Sequence, residues 1–123
     1  MTTKSRGAMA APRGLRHLAL KTRDLETTKR FYLDVLGLEE AFEHPGMIFL
    51  ASRGGGDLLN FVRTTGRVAG GGLDHFGFHV SPARWRALLA RLRRAGVAIR
   101  ARRGLSAVYI HDPNGYTVEL YRD

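Results

Sequence analysis

The chain has 123 residues, which is enough for one domain with its own hydrophobic core. Its content of 44% hydrophobic and 25% charged residues is typical of a globular protein, and the lack of cysteine excludes thiolate nucleophiles, disulfides and sulfur ligands for a metal. The formal net charge is +9. Many of the basic residues, however, fall near the N-terminus or on one predicted helix, and no nucleic-acid-binding motif accompanies them. We therefore expect no nucleic-acid partner.

The first residues combine basic side chains with a few small apolar ones. A secretory signal needs an apolar region of about 7–15 residues, which they do not supply. No stretch of the chain approaches the roughly 20 apolar residues that span a membrane. We expect residues 1–13 to form a mobile tail, residues 14–123 to form a single domain, and the protein to be cytoplasmic, without a membrane partner.

The segment after the tail predicts a strand, a helix and three further strands. Residues 15–22 read LRHLALKT and alternate with the strand period of two. Asp24 is a candidate N-cap, apolar residues then recur at helical spacing, and Gly37 is a stop signal. Short strands separated by turn residues are predicted at 38–43, 47–51 and 58–62. We call residues 14–62 module one, with the order β-α-β-β-β.

The second half of the chain repeats this order. The glycine-rich residues 63–72 are predicted as a linker, since they lack the strand-then-helix context of a phosphate-binding loop. Module two, residues 73–123, opens with LDHFGFHV and continues with a helix between Ser81 as N-cap and Gly96. Its last strands are predicted at 97–101, 107–110 and 117–121. The repeat places His75 at the position that His17 occupies in module one.

The strand period separates these histidines from the bulky apolar residues. His17 shares a strand face with Ala19, and His75 shares one with Gly77, while Glu119 alternates with two apolar residues in the last strand. A buried carboxylate is costly unless it is paired or binds a metal. Two histidines and one carboxylate make a three-ligand site for divalent Fe, Mn, Ni, Co or Zn. The sequence therefore predicts a metal on His17, His75 and Glu119.

One module alone cannot cover both faces of its sheet. We therefore expect an α+β fold in which two tandem β-α-β-β-β modules form a continuous, curved mixed sheet around a central metal-containing pocket. Near the end of the chain, the sequence DPNG at residues 112–115 predicts a tight structural turn that aims the final strand.

Three segments carry a resemblance to a known family. The segments GLRHLALKTRDLETTKRFYLDVLGL, LDHFGFHV and VYIHDPNGYTVELY resemble the vicinal oxygen chelate superfamily of glyoxalase I, extradiol dioxygenases, fosfomycin-resistance transferases, methylmalonyl-CoA epimerase and metal-free bleomycin-resistance proteins. The resemblance covers about residues 14–122 and implies metal positions at His17, His75 and Glu119. It also implies a homodimer and a small-molecule substrate that the metal chelates through two neighbouring oxygens.

The repeat helps to rank the chemistries that this resemblance implies. Asn60 of module one aligns with Glu119 of module two. Glyoxalases of the family use a carboxylate at the first-half position, both as ligand and as base, so a glyoxalase I or epimerase activity is disfavoured. We expect dioxygenase-like chemistry first, with Tyr109, His111 and Tyr121 as candidate catalytic acid–base residues. The alternatives are a metal-free ligand-sequestering protein of the bleomycin-resistance type, and a glutathione or thiol transferase or lyase.

Overall fold

The computed structural model describes residues 10–68 and 70–123. Most of the predicted tail, and Ala69 of the predicted linker, lie outside this part of the chain. Module one contains β1 (His17–Thr22), α1 (Leu25–Arg30), a π-helical turn (Phe31–Val35), β2 (Glu39–His44), β3 (Met47–Ala51) and β4 (Leu58–Arg63). Module two contains β5 (Phe76–His79), α2 (Pro82–Arg94), β6 (Ala101–Arg103), β7 (Ala107–His111) and β8 (Thr117–Tyr121).

Each module forms its own four-stranded mixed sheet. The strand order is β1-β4-β3-β2 in the first sheet and β5-β8-β7-β6 in the second. In both sheets the first strand is parallel to the last, and the other pairs are antiparallel. The α+β class and the tandem β-α-β-β-β order are confirmed. The strands make two sheets rather than one continuous sheet, because β1 and β5 each pair only with the last strand of their own module in the described residues.

Both helices begin and end near the predicted residues. The Asp24 side chain accepts hydrogen bonds from the backbone N–H and the hydroxyl of Thr27, at 3.0 Å and 2.8 Å, and these bonds lower the pKa of Asp24. Ser81 occupies the N-cap position of α2, but its side chain makes no capping hydrogen bond. Gly37 and Gly96 follow the helical segments with φ of +77° and +71°, a conformation that glycine adopts without strain. None of the helices in the described ranges is long and apolar enough to cross a membrane.

The core lies between each sheet and its helix, and the two cores merge. Leu50 and Phe61 are fully buried in the first cluster, and Leu120 in the second. Phe76 and Phe78 of β5 pack against both clusters. Burial of such a side chain contributes about 1.5–3 kcal/mol to stability.

The predicted turn at residues 112–115 also joins the two modules. Tyr32 donates a hydrogen bond of 2.8 Å from its hydroxyl to the buried carboxylate of Asp112. Asn114 donates to the Thr28 hydroxyl at 3.1 Å, and its side-chain oxygen accepts a 2.6 Å bond from Thr22. The turn therefore fixes module two against module one as well as aiming β8.

One predicted strand is misplaced. The prediction at residues 97–101 is wrong because Val97 and Ile99 pack against the α2 side of the core, while the ladder with β7 begins only at Ala101 and runs to Arg103. This shift of the strand along the chain determines which residues of β6 face the site described next.

Candidate functional site

We call the face of each sheet that is turned away from its helix the open face. In β8, Val118 and Leu120 are buried under α2, so Glu119 lies on the open face of the second sheet. The ladder places Gly77 beside Glu119 on one side and Tyr109 on the other. The alternation predicted for this strand is confirmed.

His75 and Glu119 converge at this face. The Nε2 atom of His75 lies 3.1 Å from Oε1 of Glu119, and the Glu119 side chain is only 12% exposed. His75 comes just before β5, so the start of that strand carries its ring toward the carboxylate.

A second carboxylate forms a hydrogen bond with the other ring nitrogen of His75. Nδ1 lies 2.6 Å from Oδ2 of Asp74. The hydrogen bond with Asp74 raises the pKa of His75, and the charge of Glu119 raises it further. The imidazole ring is therefore oriented by carboxylates at both of its nitrogens.

Arg103 of β6 donates a hydrogen bond to the remaining carboxylate oxygen of Glu119. Its Nη2 donates a 2.7 Å hydrogen bond to Oε2, and this contact, together with one from Tyr109, raises the pKa of Arg103. Glu119 thus bridges an imidazole and a guanidinium. At this point the open face of the second sheet borders a cavity of about 410 Å³, lined by His75, Phe76, Gly77, Arg103, Glu119 and Tyr121.

The predicted acid–base residues lie at different distances from this centre. The ring of Tyr109 meets the His75 ring edge-on, with 5.5 Å between centroids. Tyr121 lines the cavity and contacts the His79 ring at 5.3 Å between centroids. His111 is exposed and pairs with Thr117 at the end of the ladder, so among the three Tyr109 lies against the imidazole.

Gly77 allows Glu119 its position. A Cβ atom at residue 77 would lie 3.2 Å from the backbone oxygen and 3.3 Å from the Cβ of Glu119, which is tighter than ordinary packing. The close approach of β5 and β8 therefore favours glycine at this position, which the sequence predicted to line the pocket.

His17 does not join this pair. It is exposed at the start of β1 and lines a separate crevice of about 470 Å³ that His75 also borders. In the described part of the chain, no group of three or more histidine, aspartate or glutamate side chains is placed to hold a metal ion. The structure brings together two of the three predicted ligands, and the third stays a prediction.

The comparison with known families agrees with the geometry. Residues 14–120 match the Glyoxalase/Bleomycin resistance protein/Dioxygenase superfamily. This chain belongs to that superfamily. A search among curated protein sequences finds no match.

Several solved structures share the fold. An integron cassette protein from the mobile metagenome of the Halifax Harbour sewage outfall is 25% identical, with a TM-score of 0.75 over 91% of this chain and 100% of the other. Lactoylglutathione lyase from Agrobacterium tumefaciens is 25% identical, with a TM-score of 0.71 over 92% and 96%. A point mutant of the fosfomycin resistance protein FosX from Listeria monocytogenes, complexed with Mn(II) and 1S,2S-dihydroxypropylphosphonic acid, is 18% identical, with a TM-score of 0.74 over 90% and 93%.

The donors at His75 and Glu119 fit the divalent metal that the superfamily implies. An imidazole nitrogen and a carboxylate oxygen suit Mn, Fe, Co, Ni and Zn. Ligating histidines usually donate their second ring N–H to a carboxylate, which is the position of Asp74. The fit is incomplete in one respect, because only two donors converge among the residues that the structure describes.

The equivalent position in module one carries Asn60. It pairs with Ala19 and Phe49 on the open face of the first sheet, as Glu119 pairs with Gly77 and Tyr109. Asn60 is buried, and its side-chain oxygen has no hydrogen-bond partner among the described residues.

Two residues of the site were not among the sequence predictions. Asp74 could have been found, since it directly precedes His75 and carries the carboxylate that a ligating histidine often needs. Arg103 could not be placed because the strand was predicted at 97–101. With the observed strand, period-two alternation from Ala101 puts Arg103 on the open face.

Proposed function

We propose that this chain is a metal-dependent enzyme of the superfamily that acts in the cytoplasm on a small oxygen-rich substrate. A divalent ion of Fe, Mn, Ni, Co or Zn would be held by His75, Glu119 and His17. The observation that carries this proposal is the convergence of His75 Nε2 and Glu119 Oε1, 3.1 Å apart, with Asp74 on the other ring nitrogen.

The protein groups around this pair have separate roles. When bound, the metal would supply Lewis-acid stabilisation of negative charge on two neighbouring substrate oxygens. Asp74 orients the imidazole, and Gly77 leaves room for Glu119. Tyr109, whose ring rests against His75, carries the hydroxyl that we assign to proton transfer, and Tyr121 lies on the cavity wall. His111, exposed at the end of β7, is the less favoured candidate.

Dioxygenase-like chemistry is the reaction that we rank first. Asn60 replaces the carboxylate that a four-ligand site with a strong base would need, and an amide is a poor base at neutral pH. A lyase or a glutathione or thiol transferase of the same superfamily is the alternative reaction.

We also propose that the site is completed in a homodimer, with His17 supplied by a second copy of the chain. His75 and Glu119 converge without His17, and the open face of the first sheet carries the stacked rings of Phe42 and Phe49, with Phe42 51% exposed. Such an apolar surface is typical of an interface between subunits.

Metal analysis of protein purified without chelator tests the metal site. We expect roughly one Mn, Fe, Co, Ni or Zn ion per chain in the wild type and its loss in His17→Ala and Glu119→Gln. The control is His44→Ala, which removes an exposed histidine of the first sheet and should keep the metal. A wild-type chain that contains no metal and binds none of these ions on titration would contradict the proposal.

Mixing the two variants that are expected to lose the metal tests whether the site is shared between two chains. If His17 comes from the second copy, a mixed dimer of His17→Ala and Glu119→Gln contains one intact site, so refolding an equal mixture should restore roughly a quarter of the wild-type metal content. No recovery would assign the three ligands to a single chain.

One observation favours a second candidate function, metal-free ligand binding. Both oxygens of Glu119 already have partners within the protein, His75 and Arg103, so the carboxylate is satisfied without a metal. A ligand-sequestering protein would show saturable ligand binding that neither a chelator nor added metal changes, which separates it from the enzyme.

A further inference from the structure

Arg103 reaches across the second sheet to the candidate site. It lies on β6, whereas Glu119 lies on β8, and β7 runs between them. The residue paired with Arg103 on β7 is Ala107, which is almost fully buried although it is on the open face. A small residue at this position lets the arginine side chain pass over β7 to the carboxylate.

The guanidinium of Arg103 keeps donors available to the cavity. Its side chain is 58% exposed while the Glu119 side chain is 12% exposed, so the pair lies at the cavity wall with the arginine outermost. Nη2 bonds Glu119. An arginine has five N–H donors in a planar fork, and this fork matches the geometry of a carboxylate or a phosphate group.

The charge of the metal-loaded site would favour a negative ligand. The charged groups at the cavity are the carboxylate of Glu119 and the guanidinium of Arg103, and the carboxylate of Asp74 lies against the far ring nitrogen of His75. A divalent metal on His75 and Glu119 would add two positive charges, which outweigh the remaining negative charge, so the loaded site would be positive overall. A positively charged site attracts ligands of the opposite sign.

We propose that Arg103 is a specificity-determining residue that binds an oxyanion group of the substrate, a carboxylate or a phosphoryl group, beside the oxygens that the metal chelates. The inference deepens the proposed function and rests on it for the metal. The contact between the guanidinium and the oxyanion itself needs no metal.

Calorimetric titration with three small aromatic probes tests this assignment. Benzoate carries a carboxylate, phenylphosphonate carries a phosphoryl group, and benzamide is the neutral counterpart of benzoate. We expect both anions to bind the Mn(II)-treated full chain, and Arg103→Met to weaken their affinity about tenfold or more, the usual effect of losing a charge-assisted hydrogen bond. Benzamide binding should not change, and the ratio of the two anion affinities identifies the preferred group.

Arg102→Met is the matched control. It removes the same charge from the same strand, but Arg102 pairs with the buried Val108 and so lies on the opposite face of the strand. Its anion affinities should stay near the wild-type values. Equal weakening by Arg102→Met and Arg103→Met would show a general charge effect and overturn the proposal, as would a wild-type chain that binds neither anion.

Titration with Mn(II) alone separates substrate binding from a structural role. Without Arg103 the metal no longer shares Glu119 with a cation, so Arg103→Met should bind Mn(II) more tightly while it binds the anions more weakly. Loss of both affinities would assign Arg103 a structural role and overturn the inference. Should Arg103→Met not fold, Arg103→Lys keeps the charge but loses the fork, and it should still weaken the anions. A wild type that binds benzoate through Arg103 but binds no metal would contradict the proposed metal-dependent enzyme and would still support the oxyanion site at Arg103.

Discussion

On the open face of module two, Glu119 lies between His75 and Arg103, whereas the equivalent position of module one holds Asn60, whose side-chain oxygen has no partner within residues 10–68 and 70–123. The strand orders around the two positions are the same. The residue before the histidine differs as well, being Asp74 in one module and Arg16 in the other. The repeat therefore provides two equal scaffolds, and the charged chemistry is concentrated on only one of them.

The largest effect is expected from making module one resemble module two. Asn60→Asp places a carboxylate in a buried position without a partner, and it should lower the free energy of unfolding by about 2–4 kcal/mol in protein treated with chelator. Asn60→Leu removes the unpartnered oxygen at similar size and should leave stability equal or raise it by up to about 1 kcal/mol. Urea denaturation measures both changes. An aspartate variant as stable as the wild type would show that position 60 has access to a cation or to water.

The second prediction compares the residues that precede the two histidines. Asp74→Ala should weaken metal binding about 10–100-fold, because the imidazole of His75 loses the carboxylate that orients it. Arg16→Ala, at the equivalent position of module one, should change it little. Metal titration of both variants measures the difference. If Asp74 acted only through the net charge of the protein, Arg16→Ala would strengthen metal binding by as much as Asp74→Ala weakens it, and that result would contradict the orienting role.

The third prediction compares the small residues beside positions 119 and 60. Gly77→Ala should cost about 1 kcal/mol of stability, since the added Cβ would crowd Glu119 and force a shift of the strand. Ala19→Gly, at the equivalent position, should cost a similar amount for a different reason, the greater flexibility of the unfolded chain. Only Gly77→Ala should also reduce metal affinity, and a reduction in both variants would contradict the placement of the site.

The smallest effect is expected at the helix starts. Asp24→Ala should lower the melting temperature more than Ser81→Ala, because Asp24 caps its helix and the Ser81 side chain makes no capping bond. The pKa of Asp24 is lowered in the folded state, so its stabilisation is present at neutral pH and is lost as the pH falls through that lowered pKa. The difference in melting temperature between wild type and Asp24→Ala should therefore shrink in acid. A difference that is constant from neutral pH to pH about 2 would contradict this origin.

The local pattern of the sequence predicted most of what lies within a module. Period-two alternation placed Glu119 on the open face, and the cap and glycine signals located both helices. What it could not supply was the arrangement between modules. Phe76 and Phe78 pack into both cores and set the two sheets side by side, and a contact between distant segments leaves no periodic signal. Whether His17 meets the site depends on that arrangement. Arg103 was missed because the strand was predicted to end at residue 101, and the end of a short strand depends on its pairing with β7 more than on its own sequence.

The hydrogen bonds of the turn at residues 112–115 have a consequence for how the chain folds. Tyr32 and Asp112 are 80 residues apart in the chain, and Thr22 and Asn114 are 92 apart. Contacts of such separation form only after a large loop has closed, so they slow folding and are completed late. Expressed alone, either half would expose the polar groups and the aromatic surface that the other half covers. We therefore expect one cooperative melting transition for the intact chain, with equal calorimetric and van't Hoff enthalpies.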